Sequence, residues 1–347
     1  MDNSSNTTTV SVPTRNVQEY KIVLYCILLV WSLVGNILVV AVIVYNKNLR
    51  TCFNYLVLNM TISDLLCPLV SLPIRIFDEV ETWPGGSIGD GLCKFVYFLT
   101  DISPTVSIFT LVIVAFERFT AIVYSKRVRI NRKRTSILIV LTWILAMAIF
   151  SPYLYGFKEI NSDCKLVLEV KDIKLFYNIV IVAVFTIPFV SIIILYTAMI
   201  FKIRQASKNI TNMLDSRQAR SRHRRNKNIF CLSLIIVASF AVFWGPFFGV
   251  LFVISIVWQF NVPNNVDTDK IVFIVDVLGL FNSCINPCIY FSFQKQYRLG
   301  LRRIWRHVFA KRFSDSNIET IRFTTQSTYC SRHINKSTMR NQDTSSV

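Results

Sequence analysis

Seven stretches of the chain are almost continuously apolar for about 20 residues or more, the length that crosses a bilayer as a helix. They run roughly over 20–45, 53–76, 94–123, 136–157, 175–201, 229–258 and 270–292, with polar segments between them. None shows the every-second-residue alternation of a membrane-barrel strand. In lipid a segment must satisfy its own backbone groups, so each stretch predicts a helix. The expected fold is an all-α membrane protein, a seven-transmembrane helix bundle over 20–292. Residues 1–19 are polar and read as an extracellular tail. After the last stretch, "FQKQYRLGLRRIWRHVF" (293–309) sets Tyr297, Leu301, Ile304 and Trp305 at helical spacing, with Arg298, Arg302, Arg303 and Arg306 between them. That pattern predicts a short amphipathic helix on the membrane surface. Residues 310–347 are rich in Ser and Thr and read as a disordered cytoplasmic tail.

The net charge of +18 changes this picture only through its distribution. The connections after stretches 1, 3 and 5, together with the C-terminal tail, hold 28 of the 38 Lys and Arg residues. They hold only four acids, Asp215, Asp315, Glu319 and Asp343. By the positive-inside rule that side is cytoplasmic. The charge then expresses topology and contact with anionic membrane lipid, and no nucleic-acid partner is expected. Seven crossings put the N-terminus outside. The sequons at Asn3 and Asn6 agree as glycosylation sites. The first residues are polar, so stretch 1 is expected to act as its own signal anchor in the plasma membrane.

Few polar residues lie at membrane depth. They are Asn36, then Asn59, Ser63 and Asp64, then Ser103 and Ser107, then Asn282, Ser283 and Asn286; the acids Asp101 and Asp276 lie closer to the outer ends. A charge at the bilayer centre costs about 2.5–3.5 kcal/mol on insertion scales, so Asp64 demands a reason. Drawn from four helices, these groups can face one interior point, where a carboxylate among neutral oxygens suits a small hard cation. The competing reading is a protonated Asp64 that only ties helices together. Cys93 and Cys164 fall on the oxidising side, where a disulfide between them is chemically reasonable and would pin the loop after stretch 4. The three histidines, His223, His307 and His333, are far apart on the basic side. They form no triad or metal cluster, and no enzymatic activity is expected.

Further motifs fall in register. They are Gly35-Asn36, "LNMTISD" ending at Asp64, Trp83 followed by Cys93, Glu117-Arg118-Phe119, Trp143, Pro188 with Tyr196, "FAVFWGP" with Phe240, Trp244 and Pro246, and "NSCINPCIY" with Asn286, Pro287 and Tyr290. Over about 20–309 the chain resembles a rhodopsin-like (class A) G-protein-coupled receptor. The resemblance implies an allosteric sodium ion as the only metal or cofactor, held by Asp64 with Ser107, Asn282 and Asn286, in a switch region that includes Asn36. It implies that Glu117 pairs with Arg118 at rest and that Arg118 then meets a heterotrimeric G protein. Trp244, above the Pro246 kink, would sense ligand. Pro188, Ile108 and Phe240 would form a packing connector. Tyr196 and Tyr290, the latter beside Pro287, would swing toward Arg118. Departures from the family pattern are Phe119, Phe243, Ser125, Lys126 and Asn226, which bear on coupling and on the resting lock.

Leu280 stands where opsins carry a Schiff-base Lys, and Thr100 where amine receptors carry an Asp. Asp101 is the next residue, rotated about 100° around the helix. The segment 3 and segment 7 patterns look most like peptide receptors of the neuropeptide Y, tachykinin and RFamide group. The many acids of the outer face, Asp78, Glu79, Asp90 and Glu159 among them, would attract a cationic ligand. The expected ligand pocket comprises Asp101, Asp276, Thr100 and Trp244, and either acid could pair with an Arg of a basic or amidated neuropeptide. The alternatives are a monoamine or lipid receptor, or a decoy that binds without G-protein signalling. Inverted repeats expected of a transporter are absent from the sequence. Thr324, Thr325, Ser327 and Thr328 are candidate sites for receptor kinases and arrestin.

Overall fold

The computed structural model describes residues 15–80, 83–123, 131–161, 163–210 and 217–306. The long helices are α1 (Arg15–Tyr45), α2 (Cys52–Val80), α3 (Gly86–Val123) and α4 (Arg132–Phe150). A one-turn helix α5 (Tyr153–Gly156) then leads into strands β1 (Phe157–Glu159) and β2 (Cys164–Leu166). The fifth crossing is α6 (Val170–Val180), a π-helical segment (Ile181–Thr186) and α7 (Ile187–Ile210). The sixth is α8 (Arg217–Phe252) with a second π-helical segment (Val253–Val257), and the seventh is α9 (Thr268–Phe293). Seven helical spans are thus long and apolar enough to cross a membrane.

The burial pattern is inverted relative to a water-soluble bundle. On α4, Ile137, Val140, Leu141, Ile144 and Leu145 are exposed, while Asn36, Asn59, Ser63, Asp64, Ser103, Ser107, Asn282 and Asn286 are buried. Lipid is as apolar as those exposed side chains, so no hydrophobic force turns them inward. Polar groups gain by facing one another away from hydrocarbon.

Several boundaries differ from the apolar stretches. Helix α3 begins at Gly86, so Cys93 lies about two turns inside it and not at its start. Asp90 and Lys94 end the apolar run, yet they extend the helix through an i,i+4 pair at 2.5 Å. Helix α8 likewise begins well before its apolar part, among basic residues. Pro104 sits within α3 without ending it. Asp267 caps α9 by accepting from the Lys270 amide at 3.1 Å, and that bond holds its carboxyl below the usual carboxylate range. The α9 helix stops at Phe293. Gln294 is extended, and a separate helix, α10, runs over 295–306 with Arg298, Arg302, Arg303 and Arg306 exposed.

The one departure from an all-helical chain among the described residues is the β1–β2 hairpin, antiparallel with Phe157 opposite Leu166 and Glu159 opposite Cys164. Asn161 adopts a φ of 55° in its turn, a region asparagine tolerates. Ile160 and Asp163 exchange backbone hydrogen bonds across that turn at 2.8 and 3.2 Å. Cys164 on β2 is disulfide-bonded to Cys93 on α3, with Cα atoms 5.6 Å apart. The hairpin is thereby tied to the end of the bundle opposite Arg118. These are called below the disulfide end and the arginine end.

Candidate functional site

Midway along the bundle, α2, α3 and α9 meet at Asp64. Asn286 Nδ2 donates to Asp64 Oδ2 at 2.7 Å, and Ser107 Oγ donates to Oδ1 at 3.2 Å. Ser63 and Ser103 exchange hydrogen bonds between α2 and α3: each hydroxyl donates to the other's carbonyl, at 2.8 and 2.6 Å. Ser63 Oγ also lies 2.8 Å from Ser107 Oγ. Asn282 is buried one turn before Asn286. The Oδ1 atoms of Asn36, Asn282 and Asn286 are buried without a hydrogen-bond donor. Orphaned amide oxygens, a carboxylate and a hydroxyl are the donor set that a small hard cation takes. Asp64, Ser107, Asn282 and Asn286 therefore fit a sodium ion by chemistry.

Two residues of α1 serve the proline of α9. Pro287 lacks an N–H, so the Ser283 carbonyl four residues earlier has no helical partner. Asn36 Nδ2 donates to that carbonyl at 2.9 Å. The adjacent Gly35 allows the close approach: a Cβ there would lie 3.0 Å from Pro287 Cβ and Cγ.

At the arginine end, Glu117 and Arg118 are both buried and form an ion pair through the guanidinium Nε and terminal nitrogens. The Arg118 guanidinium also lies over the Phe53 ring, 5.2 Å from its centroid, a cation–π arrangement. Tyr196 is buried within electrostatic reach of Arg118 and packs on Phe230 at 5.5 Å. Tyr290 is buried on α9. Asn59 joins three helices, donating to Thr110 Oγ1 at 2.8 Å and accepting from Trp143 Nε1 at 2.9 Å.

A train of aromatic rings joins the fifth and sixth crossings. Phe185, Phe189, Phe240 and Trp244 follow one another at 4.6, 6.2 and 6.2 Å, and Phe248 stacks on Phe185 at 4.7 Å. Pro188 explains why α7 can start where it does. It removes one amide, and the turn before it is π-helical, with Thr186 Oγ1 donating to the Ile181 carbonyl at 3.0 Å. Ile108 and Phe240 are buried, and Pro246 lies within α8 one turn from the aromatic train. Trp244 also lies against Gly279 of α9, where a Cβ would meet its ring at 3.1 Å. Gly279 was not marked by any sequence motif. Neither was the bond from Ser255 Oγ to Asn178 Oδ1 at 2.9 Å, which links the two crossings that contain π segments.

Toward the disulfide end, Asp101 and Asp276 stand in different surroundings. Asp276 is paired at 2.5 Å with Arg75 of α2, a residue the sequence reading passed over. Arg75 Nε also donates to Ser71 Oγ at 2.8 Å. Asp101 has no ion-pair partner among the described residues, and the hydroxyls of Tyr153 and Tyr177 lie in its surroundings. Thr100 presents a buried hydroxyl without a partner. Asp101 remains within electrostatic reach of both Asp276 and Arg75. Aromatic rings surround the Asp101 side: Tyr97 stacks on Phe157 at 4.3 Å, and Tyr153 meets Phe157 and Phe176 at 4.8 and 5.2 Å. Asn3, Asn6, Ser125, Lys126, the Asn226 side chain and the tail hydroxyls lie outside the described residues.

Comparison with known proteins agrees with this layout. Residues 35–290 match the 7 transmembrane receptor (rhodopsin family) profile. Neuropeptide receptor 22 of Caenorhabditis elegans is 28% identical over 303 residues, which cover 80% of this chain and 68% of its own. The Allatostatin-A receptor of Bombyx mori is 27% identical, covering 79% and 76%. The Neuropeptide Y receptor type 1 of Xenopus laevis is 26% identical, covering 89% and 86%.

Proposed function

This chain belongs to the rhodopsin family of seven-transmembrane receptors, and on that premise we propose that it binds an extracellular neuropeptide, basic or amidated, and activates a heterotrimeric G protein. It is a multi-pass membrane protein of a receptor family, not an enzyme family. The proposed setting is the plasma membrane, with the disulfide end outside and the arginine end in the cytoplasm. The distribution of Lys and Arg supports that orientation. α10 then lies at the inner membrane surface with its arginines toward lipid headgroups. Receptor kinases and arrestin would act on the Ser and Thr residues of the tail.

The observation that carries the ligand reading is Asp101, an acid within the membrane-spanning part that has no ion-pair partner among the described residues, whereas Asp276 has Arg75. A ligand cation supplies what it lacks. The names of the relatives, all receptors for peptides, point the same way.

The sodium site belongs to the same reading. Bound there, the ion would offset the Asp64 charge in the resting state. Asp64 and Ser107 would hold it together with the orphaned oxygens of Asn282 and Asn286. Asn286 and Ser107 position the carboxylate through the bonds already described, and the Asn36–Ser283 bond steadies the helix that bears Asn282 and Asn286.

The test is a G-protein activation assay in cells, with amidated basic peptides beside monoamines and lipids. A response to basic peptides that is lost in Arg118→Ala at equal surface expression is expected. A response confined to monoamines or lipids would overturn the peptide reading.

A further inference from the structure

The acids near the disulfide end do not stand in equivalent surroundings. Asp276 already has a guanidinium at 2.5 Å, and that guanidinium is fixed by a second bond to Ser71. Tyr25 of α1 lies within electrostatic reach of Arg75. The paired side chains are 30% and 20% exposed, so a ligand group can reach them. Among the described residues no lysine or arginine is paired with Asp101, and its polar neighbours are the hydroxyls of Tyr153 and Tyr177.

These surroundings give the two acids different value to an incoming cation. At Asp276 a ligand guanidinium would exchange one arginine–carboxylate pair for another. It would leave Arg75 charged and unpaired inside the membrane-spanning part, a costly outcome. At Asp101 it would form a new ion pair while displacing only a neutral donor, and charge-assisted bonds are the stronger kind. The rings of Tyr97, Phe157 and Tyr153 on that side provide faces that favour a cation.

We propose that Arg75 is a built-in counter-ion that fills Asp276 and leaves Asp101 as the single acid open to the ligand, so that the receptor selects a peptide presenting one cationic group at this depth. The inference rests on the reading of the chain as a receptor for basic peptides. Arg75 is therefore a specificity-determining residue. It makes no attraction of its own to the ligand's cation, and its removal frees a second acid.

The experiment uses the full-length receptor purified in detergent and two mixture libraries of amidated hexapeptides, matched except that one carries a single arginine and the other two. The readout is the half-saturating concentration for thermal stabilisation, which needs no G protein. The wild type is expected to favour the single-arginine library. Arg75→Ala should shift the ratio toward the two-arginine library by about tenfold, and Arg75→Ala with Asp276→Asn should restore it. Asp101→Asn should weaken the single-arginine library by about tenfold, while Arg75→Ala with Asp276→Asn, which removes both members of the pair, should not. The double variant carries no unpaired charge, so it covers the case in which Arg75→Ala alone fails to fold. An unchanged ratio in Arg75→Ala overturns the proposal. So does a loss in the Arg75→Ala, Asp276→Asn double variant as large as that in Asp101→Asn, which would mean that the ligand pairs with Asp276. Absence of stabilisation by either library in every variant overturns the basic-peptide reading itself, and the inference with it.

Discussion

Asn36 donates its side-chain amide to the carbonyl of Ser283 at 2.9 Å, across 247 positions of sequence, and Ser283 is the residue whose helical partner Pro287 removes. A kink-forming proline thus has its loose end tied by another helix. Losing that bond leaves a carbonyl unsatisfied away from water. Asn36→Leu should lower stability by about 1–2 kcal/mol, read as the melting temperature of the purified receptor. Gly35→Ala should cost about 1–3 kcal/mol by pressing on the Pro287 ring. If Asn36→Leu melts with the wild type, water or another donor serves Ser283.

Asp64 leads to a prediction about salt. At constant ionic strength, replacing N-methylglucamine chloride with sodium chloride should stabilise the wild type by about 1–2 kcal/mol, a shift of a few degrees. Asp64→Asn should remove the response, and Asn282→Ala should reduce it. A sodium response that survives in Asp64→Asn would place the ion elsewhere or nowhere.

The Glu117–Arg118 pair is expected to restrain the resting state. Glu117→Gln should raise basal G-protein signalling about three- to tenfold at equal surface expression, a shift of roughly 1 kcal/mol in the balance of states. Arg118→Ala should be silent at any ligand dose. Lower basal signalling in Glu117→Gln would show that the pair supports the active form.

Trp244 and Gly279 should behave as one unit. The 3.1 Å approach leaves no room for a methyl group, so Gly279→Ala should destabilise by about 1–3 kcal/mol. Trp244→Phe, which shortens the ring system, should recover about 1 kcal/mol of that loss in the double variant. Strict additivity of the two changes would show that the indole swings aside freely.

The parts of this molecule legible in the sequence are those in which a residue type is costly where it stands. Asp64, Asn36 and Asn286 are conspicuous because polar groups at membrane depth need partners, and the structure brings them to two adjoining networks. The Cys93–Cys164 bridge was legible because both thiols lie near the same end. Arg75 was not legible. It lies near the end of an apolar stretch, where a long basic side chain commonly reaches for the interface, and only the fold shows it turned to Asp276. Gly279 and Ser255 are small and unremarkable in composition, and their importance comes from neighbours on other helices. The β1–β2 hairpin was missed because three-residue strands leave no periodic pattern to read.

The π segments at Ile181–Thr186 and Val253–Val257 bear on how such a chain can change over time. Each wide turn holds about one residue more than an α-helical turn, and one residue is about 100° of rotation. Deleting a single residue from Ile181–Thr186 would straighten the helix and barely alter its length. Asn178 would keep its face toward Ser255 and Tyr196 its place, because the α-helical turn that forms holds one residue fewer. Here the natural unit of variation is an insertion or deletion rather than a substitution, and the wide turn is the place where one residue can be gained or lost without rotating the two ends of the helix against each other.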